Sequence, residues 1–109
     1  MGIFDFFKRA DIDRGVEEYR AQSGGILLDV RTQGEYLQGH IPDSRNLDVQ
    51  EIQKAPSLWP DKQVPLFVYC RSGARSAQAC SILKRRGYDA RNIGGVLGYR
   101  GRLERGTEE

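Results

Sequence analysis

Cysteine is scarce in this chain: Cys70 and Cys80 are the two such residues among 109. Two are too few for a disulfide framework, and a helix's length apart on one element they are poorly placed to bridge each other. No CxxC pair occurs, and the single histidine, His40, completes no Cys/His cluster of metal-ligand spacing. A zinc site is therefore not suggested. Long apolar runs are also missing, and nothing approaches the roughly 20 residues of a transmembrane helix. The start, Met1-Gly2-Ile3-Phe4-Asp5-Phe6-Phe7-Lys8-Arg9, lacks the order and cleavage site of a signal peptide. Phe6 stands where a myristoylation site has Ser or Thr. Unbridged cysteines fit a reducing compartment, so the expected location is cytoplasmic. Charge of one sign is not in excess: 17 basic residues face 15 acidic ones, for a net +2. The arginines are scattered, not massed in a stripe, which argues against nucleic acid as a partner and suits a site for small anions.

What is present is an ordinary globular balance, 39% hydrophobic and 29% charged. A chain of this length buries roughly two-thirds of its unfolded surface, enough for one core. We find no repeat, low-complexity segment or interdomain linker. The expected organisation is an N-terminal extension (1–10), one domain (11–106) and a short tail (107–109). In the extension, Phe4, Phe6 and Phe7 beside Lys8 and Arg9 suit a turn laid over the core. Contact with a membrane surface or a second copy is left open.

The first helix is predicted over Asp11 to Ala21, with Asp11 as N-cap and Val16 and Tyr19 on one face. Ile26 to Val30 is too brief for a helix and reads as a buried parallel strand. Thr32 and Glu35 have capping-box spacing, so a short helix through Tyr36 and Leu37 should follow, ended by Gly39. His40 to Asp43 is a turn, in which His40 is read as a structural hydrogen-bonding group. Arg45 to Leu47 is a possible strand, and Asp48 opens a short helix over Val49 to Gln53. Pro56, Pro60 and Pro65 predict loop from Ala55 to Gln63, with Leu58 and Trp59 pinned to the core. Val64 to Tyr69 is the central strand, Ala77 to Arg86 a helix stopped at Gly87, and Asp89 to Ile93 the last strand. Gly94-Gly95 is read as a turn and Val96 to Leu103 as a final helix. Unbroken apolar strands alternating with helices predict an α/β fold, a mostly parallel sheet covered on both faces with right-handed crossovers.

The chemistry is expected at Cys70-Arg71-Ser72-Gly73-Ala74-Arg75-Ser76. A cysteine at the carboxyl end of a strand, in a loop feeding a helix, lies where open α/β sheets bind ligands. Backbone N–H groups at a helix start bind anions, and the helix dipole favours thiolate over thiol. Arg71 and Arg75 add positive charge, which lowers a cysteine pKa. Cys80, among Ala79, Ile82 and Leu83, reads as packed, and a redox role for it is the lesser alternative. Asp29, Arg31 and Glu35 read as an ion-pair network supporting the loop.

Several segments together resemble single-domain rhodaneses. Leu28-Asp29-Val30-Arg31, Glu35-Tyr36, Gly39-His40-Ile41-Pro42 and Asn46-Leu47 resemble their amino-terminal signature. Cys70 to Ser76 resembles their active-site loop, and Gly94-Gly95-Val96 their closing turn. The resemblance implies a rhodanese-like three-layer sandwich and a sulfurtransferase, with no metal or organic cofactor. Cys70 would accept a sulfane sulfur, the backbone from Arg71 to Ser76 would cradle it, and Arg71 and Arg75 would steer the anion. The implied partners are a small sulfur-containing anion or persulfide donor, a thiol or cyanide acceptor, and a sulfur-relay protein. Asp43-Ser44 departs from the Gly-Ala common in the family after that proline. Cysteine phosphatases and arsenate reductases have a similar loop but use Cys-x5-Arg. Arg75 gives Cys-x4-Arg, a smaller ring that suits one sulfur atom better than phosphate. A regulatory domain is the non-enzyme alternative, but such domains commonly lose the cysteine.

Overall fold

A computed structural model describes residues 11–106. The aromatic cluster Ile3 to Phe7 and the tail at 107–109 lie outside the described residues. Helix α1 (Ile12–Ala21) is capped by the Asp11 side chain, which accepts from the Asp13 N–H. Strand β1 (Ile26–Asp29), helix α2 (Gln33–Gln38) and strand β2 (Arg45–Asn46) follow. A 3₁₀ turn (Val49–Lys54) leads into the short helix α3 (Ala55–Leu58). Strand β3 (Leu66–Cys70), helix α4 (Ala74–Arg85), strand β4 (Ala90–Gly95) and a 3₁₀ turn (Val96–Gly98) complete the order.

The strands form one parallel sheet in the order β2-β1-β3-β4. Strand β3 is central and buried at every residue. Side chains alternate across a strand, so Leu66, Val68 and Cys70 face one layer while Phe67 and Tyr69 face the other. The first layer packs Leu28, Val30, Val68 and Cys70 against Ala79, Cys80 and Leu83 of α4 and against Val49, Ile52 and Ala55. The second packs Leu27, Ile41, Phe67, Tyr69 and Ile93 against Ile12 and Val16 of α1. This is the three-layer sandwich.

Five local expectations need correction. Ala55–Leu58 is helical, because Pro56 sits in the first turn, where its missing N–H costs nothing. Leu58 is 52% exposed, so of the expected pair only Trp59 packs on the core. Helix α4 starts at Ala74, three residues before its predicted start, because Gly73 takes the left-handed φ of 103° and turns the chain directly into the helix. Gly94-Gly95 stays in β4, paired with Tyr69 and Cys70 after a bulge that leaves Ile93 without a partner on β3. Beyond it, Val96–Gly98 is the one helical turn, and Glu104 instead forms an antiparallel bridge with His40.

The turn at Asp43-Ser44 is resolved by side-chain chemistry. Asp43 has a φ of 75°, a left-handed conformation that short polar residues tolerate. Ser44 is buried, and its Oγ donates to the Ile41 carbonyl at 2.7 Å and lies 3.1 Å from the Tyr69 hydroxyl. A β-branched residue at 43 would be strained. Asp43→Val is therefore expected to lose about 1–3 kcal/mol of stability, with Asp43→Gly within about 1 kcal/mol of wild type. Denaturant melts check this, and equal stability of Asp43→Val and wild type would contradict the strain.

Candidate active site

Cys70 ends β3 and is 1% exposed. The chain then folds back over the sulfur, so that the Gly73 N–H donates to Sγ at 3.0 Å and the Ser76 hydroxyl lies 3.4 Å away. Burial pushes the thiol pKa up. The Ser76 hydroxyl and the backbone N–H groups of Ser76, Gly73 and Ser72 pull it down, and the net result lies below the usual cysteine value. The helix start thus outweighs the apolar surroundings. Cys80, one layer neighbour away, lacks such donors, and burial pushes its thiol up to about 12. Both cysteines are free.

The loop can close this tightly because Gly95 lets β4 touch it. A Cβ at Gly95 would lie 2.3 Å from the Arg71 carbonyl oxygen and 2.5 Å from the Ser72 Cα. Leu97 N–H donates to that same Arg71 carbonyl at 3.2 Å. Asn92, on β4 just before the bulge, holds the other side of the loop. Its Nδ2 donates to the Gly73 carbonyl at 3.2 Å, and its Oδ1 accepts from Ser76 Oγ at 2.7 Å and from the Gly94 N–H at 3.0 Å. Sequence reasoning missed Asn92. The available signal was an asparagine inside a predicted strand, where this residue type is depleted.

The expected network of Asp29, Arg31 and Glu35 is two separate pairs. Asp29 and Arg31 form a buried pair at 2.7 Å, and Arg31 also donates to the Gly39 carbonyl at 2.7 Å. This pair holds β1 to the end of α2, and removing one partner would strand a buried charge at a cost of about 3–5 kcal/mol. Glu35 instead grips Arg75, with contacts of 2.7 and 3.0 Å. The same carboxylate completes the capping box of α2 by accepting from the Thr32 N–H at 3.0 Å. Arg75 therefore reaches Glu35 across the site, while Arg71 is exposed at the loop surface. His40 is buried, with Nδ1 2.9 Å from the Tyr36 carbonyl and its ring stacked 3.8 Å from that of Tyr36. A groove of about 270 Å³ runs beside the loop, lined by Arg71, Glu35, Gln38, Val96, Leu97 and Leu103 among others. Cys70 is not in its lining; the groove adjoins the sulfur's loop through Arg71.

The family model for the rhodanese-like domain matches residues 10–101. The chain belongs to that family. It is 45% identical over 76 residues to a sulfurtransferase of Allochromatium vinosum, with 70% of this chain aligned. It spans 65% of that relative's length. It is 35% identical over 71 residues to the thiosulfate sulfurtransferase PspE of Escherichia coli, covering 63% of this chain and 68% of PspE. Among solved structures, an E. coli rhodanese with anions superposes with a TM-score of 0.69 at 31% identity, covering 75% of this chain and 99% of the other. The human single-domain sulfurtransferase TSTD1 gives 0.67 at 29% identity, covering 80% and 88%. No helix among the described residues of this rhodanese-like chain is long and apolar enough to cross a membrane. The same residues hold no cluster of His, Cys, Asp and Glu suited to a metal ion.

Two measurements test the electrostatics of this site. Titration followed by thiolate absorbance should show a first step below the usual cysteine pKa of about 8.5 that disappears in Cys70→Ser, with Cys80 titrating only near 12. A single step at the ordinary value would refute the cradle. The Glu35 carboxyl is held at about 2, chiefly by its Arg75 hydrogen bonds. Its folded pKa lies below its unfolded one of about 4.3, so its stabilisation is complete above that value and disappears as pH falls toward 2. The side chains of the pair are about one-third exposed, so solvent screening keeps the pair's own contribution to the order of 1 kcal/mol or less. The Tm gap between wild type and Glu35→Gln should therefore be present at neutral pH and close by about pH 2. A gap constant across that range would rule the linkage out.

Proposed function

We propose that the protein is a sulfurtransferase that moves a sulfane sulfur from thiosulfate or a persulfide donor to a thiophilic acceptor, carrying it on Cys70. The observation that carries this reading is a sulfur at the carboxyl end of β3, facing the start of α4 and receiving the Gly73 N–H at 3.0 Å. In the first half-reaction the Cys70 thiolate attacks the outer sulfur of thiosulfate. A bond forms between Sγ and that sulfur, the donor's S–S bond breaks, and its electron pair leaves with sulfite. Sulfite is a stable anion, so the step needs no general acid. That agrees with the structure around His40, which is occupied with Tyr36. In the second half-reaction an acceptor thiolate or cyanide bonds to the carried sulfur, and the breaking bond returns its pair to Sγ. This is covalent catalysis with ping-pong kinetics.

The roles within the loop divide. The N–H groups of Ser72, Gly73 and Ser76 stabilise charge on sulfur from fixed positions, as an oxyanion hole does for oxygen. Losing one such donor typically costs about 2.7–4 kcal/mol of transition-state energy. Arg71, exposed beside the groove, is the cation positioned to meet the donor anion. Arg75, held by Glu35, is a positioning residue that fixes the first turn of α4 against α2. The short Cys-x4-Arg spacing favours sulfur over phosphate in this cradle.

Incubation of reduced protein with thiosulfate is expected to add the mass of one sulfur, reversibly with cyanide. Cys70→Ala should abolish the gain and Cys80→Ala should retain it. An unchanged mass with every donor in a panel of thiosulfate and low-molecular-weight persulfides would end this reading. Turnover of an aryl phosphate by wild type but not by Cys70→Ala would replace it with a phosphatase.

A further inference from the structure

Ser76 has one hydroxyl proton and three acceptors in reach. Asn92 Oδ1 lies at 2.7 Å, the Gly73 carbonyl at 3.1 Å and Cys70 Sγ at 3.4 Å. A hydroxyl can donate one strong bond at a time. The shortest contact assigns that proton to Asn92, so the sulfur receives little of it in the resting site. Asn92 does not depend on Ser76. Its Oδ1 keeps the Gly94 N–H at 3.0 Å, and its Nδ2 stays on the Gly73 carbonyl at 3.2 Å. Release of the Ser76 proton therefore leaves no buried acceptor without a partner.

We infer that the Ser76 hydroxyl is a two-position hydrogen-bond switch, held off the sulfur by Asn92 in the thiol state and turned onto Sγ when negative charge collects there. The idea rests on the proposed sulfur chemistry at Cys70 and adds Asn92 to it as a positioning residue. In the second half-reaction the acceptor attacks the outer sulfur, the bond to Sγ breaks, and the electron pair collects on Sγ. Turning the hydroxyl at that moment adds a donor that the neutral persulfide sulfur attracts less. An interaction gained as charge develops favours the transition state over the ground state, which raises rate instead of ground-state affinity. The backbone donors cannot do this, because they point at the sulfur in both states.

The charged and titratable groups around this corner are Arg71 in the loop, Arg75 and Cys80 on α4, Glu35 on α2 and Asp29 on β1. None is altered by the variants that follow. The Cys70 titration, read by thiolate absorbance, should move up by about one pH unit in Ser76→Ala, a tenfold change in thiolate ratio. It should move down in Asn92→Ala, because the freed hydroxyl turns to the sulfur, and the double variant should match Ser76→Ala. A structural role for Asn92 would loosen the loop, raise the midpoint and leave the two changes additive; that pattern overturns the switch. Crystals of the wild type need no variant to fold. Above the Cys70 midpoint the 2.7 Å Ser76–Asn92 contact should open and the 3.4 Å contact to Sγ should shorten, whereas identical distances above and below the midpoint would refute the inference. Persulfide formation by mass is scored separately, so loss of the switch and loss of the sulfur chemistry are distinguishable.

Discussion

A cysteine sulfur buried at the end of a central strand can carry charge only if something other than water solvates it, and the backbone of its own loop supplies the donors. The Gly73 N–H reaches Cys70 Sγ at 3.0 Å only because the chain doubles back within three residues and enters α4 at once. Two backbone conditions make that path possible. Gly73 adopts a left-handed φ of 103°, and Gly95 brings β4 within contact of the Arg71 carbonyl. A side chain at either position would open the loop and leave the sulfur desolvated, where burial alone would keep it a neutral thiol. Cys80 shows that outcome in the same core layer, pushed up to about 12.

The remaining polar groups hold this path in place from three directions. Glu35 ties the first turn of α4 to the capped start of α2. Asn92 ties the loop to β4, and the buried Asp29–Arg31 pair ties β1 to the end of α2. Each tie combines charge or amide chemistry with a neighbouring secondary element. The loop is therefore fixed by regular structure and not by its own sequence alone. The groove beside it joins one exposed cation, Arg71, to an apolar wall that includes the 65% exposed Leu97.

The residues that announce themselves by spacing were legible in the chain. The capping box at Thr32 and Glu35 is present as its spacing implies, Ile26 to Val30 contains β1, and Val64 to Tyr69 covers all of β3 except Cys70, its last residue. The polar partners were harder to assign. Proximity in the sequence groups Glu35 with Asp29 and Arg31, yet its carboxylate binds Arg75, forty positions later. Asn92 gave no motif, because its three partners come from Gly73, Ser76 and Gly94, and two of those lie on another element. The region after Gly95 misled for a related reason. Val96 to Leu103 has helical composition, but it is drawn out by the bridge between Glu104 and His40, a contact across most of the chain.

The sequence by itself determined the class of fold, through apolar runs alternating with helical segments, and singled out the candidate nucleophile, through a cysteine between a strand and a helix. These are local properties, set by periodicity and by the backbone preferences of a few residues. Tertiary structure alone decided in which direction that cysteine's pKa moves, which arginine of the loop stays exposed, and which asparagine bonds the serine beside the sulfur. Each depends on distances of about 3 Å between segments far apart in the chain, where hydrogen bonds and charge act, and no local pattern encodes those separations.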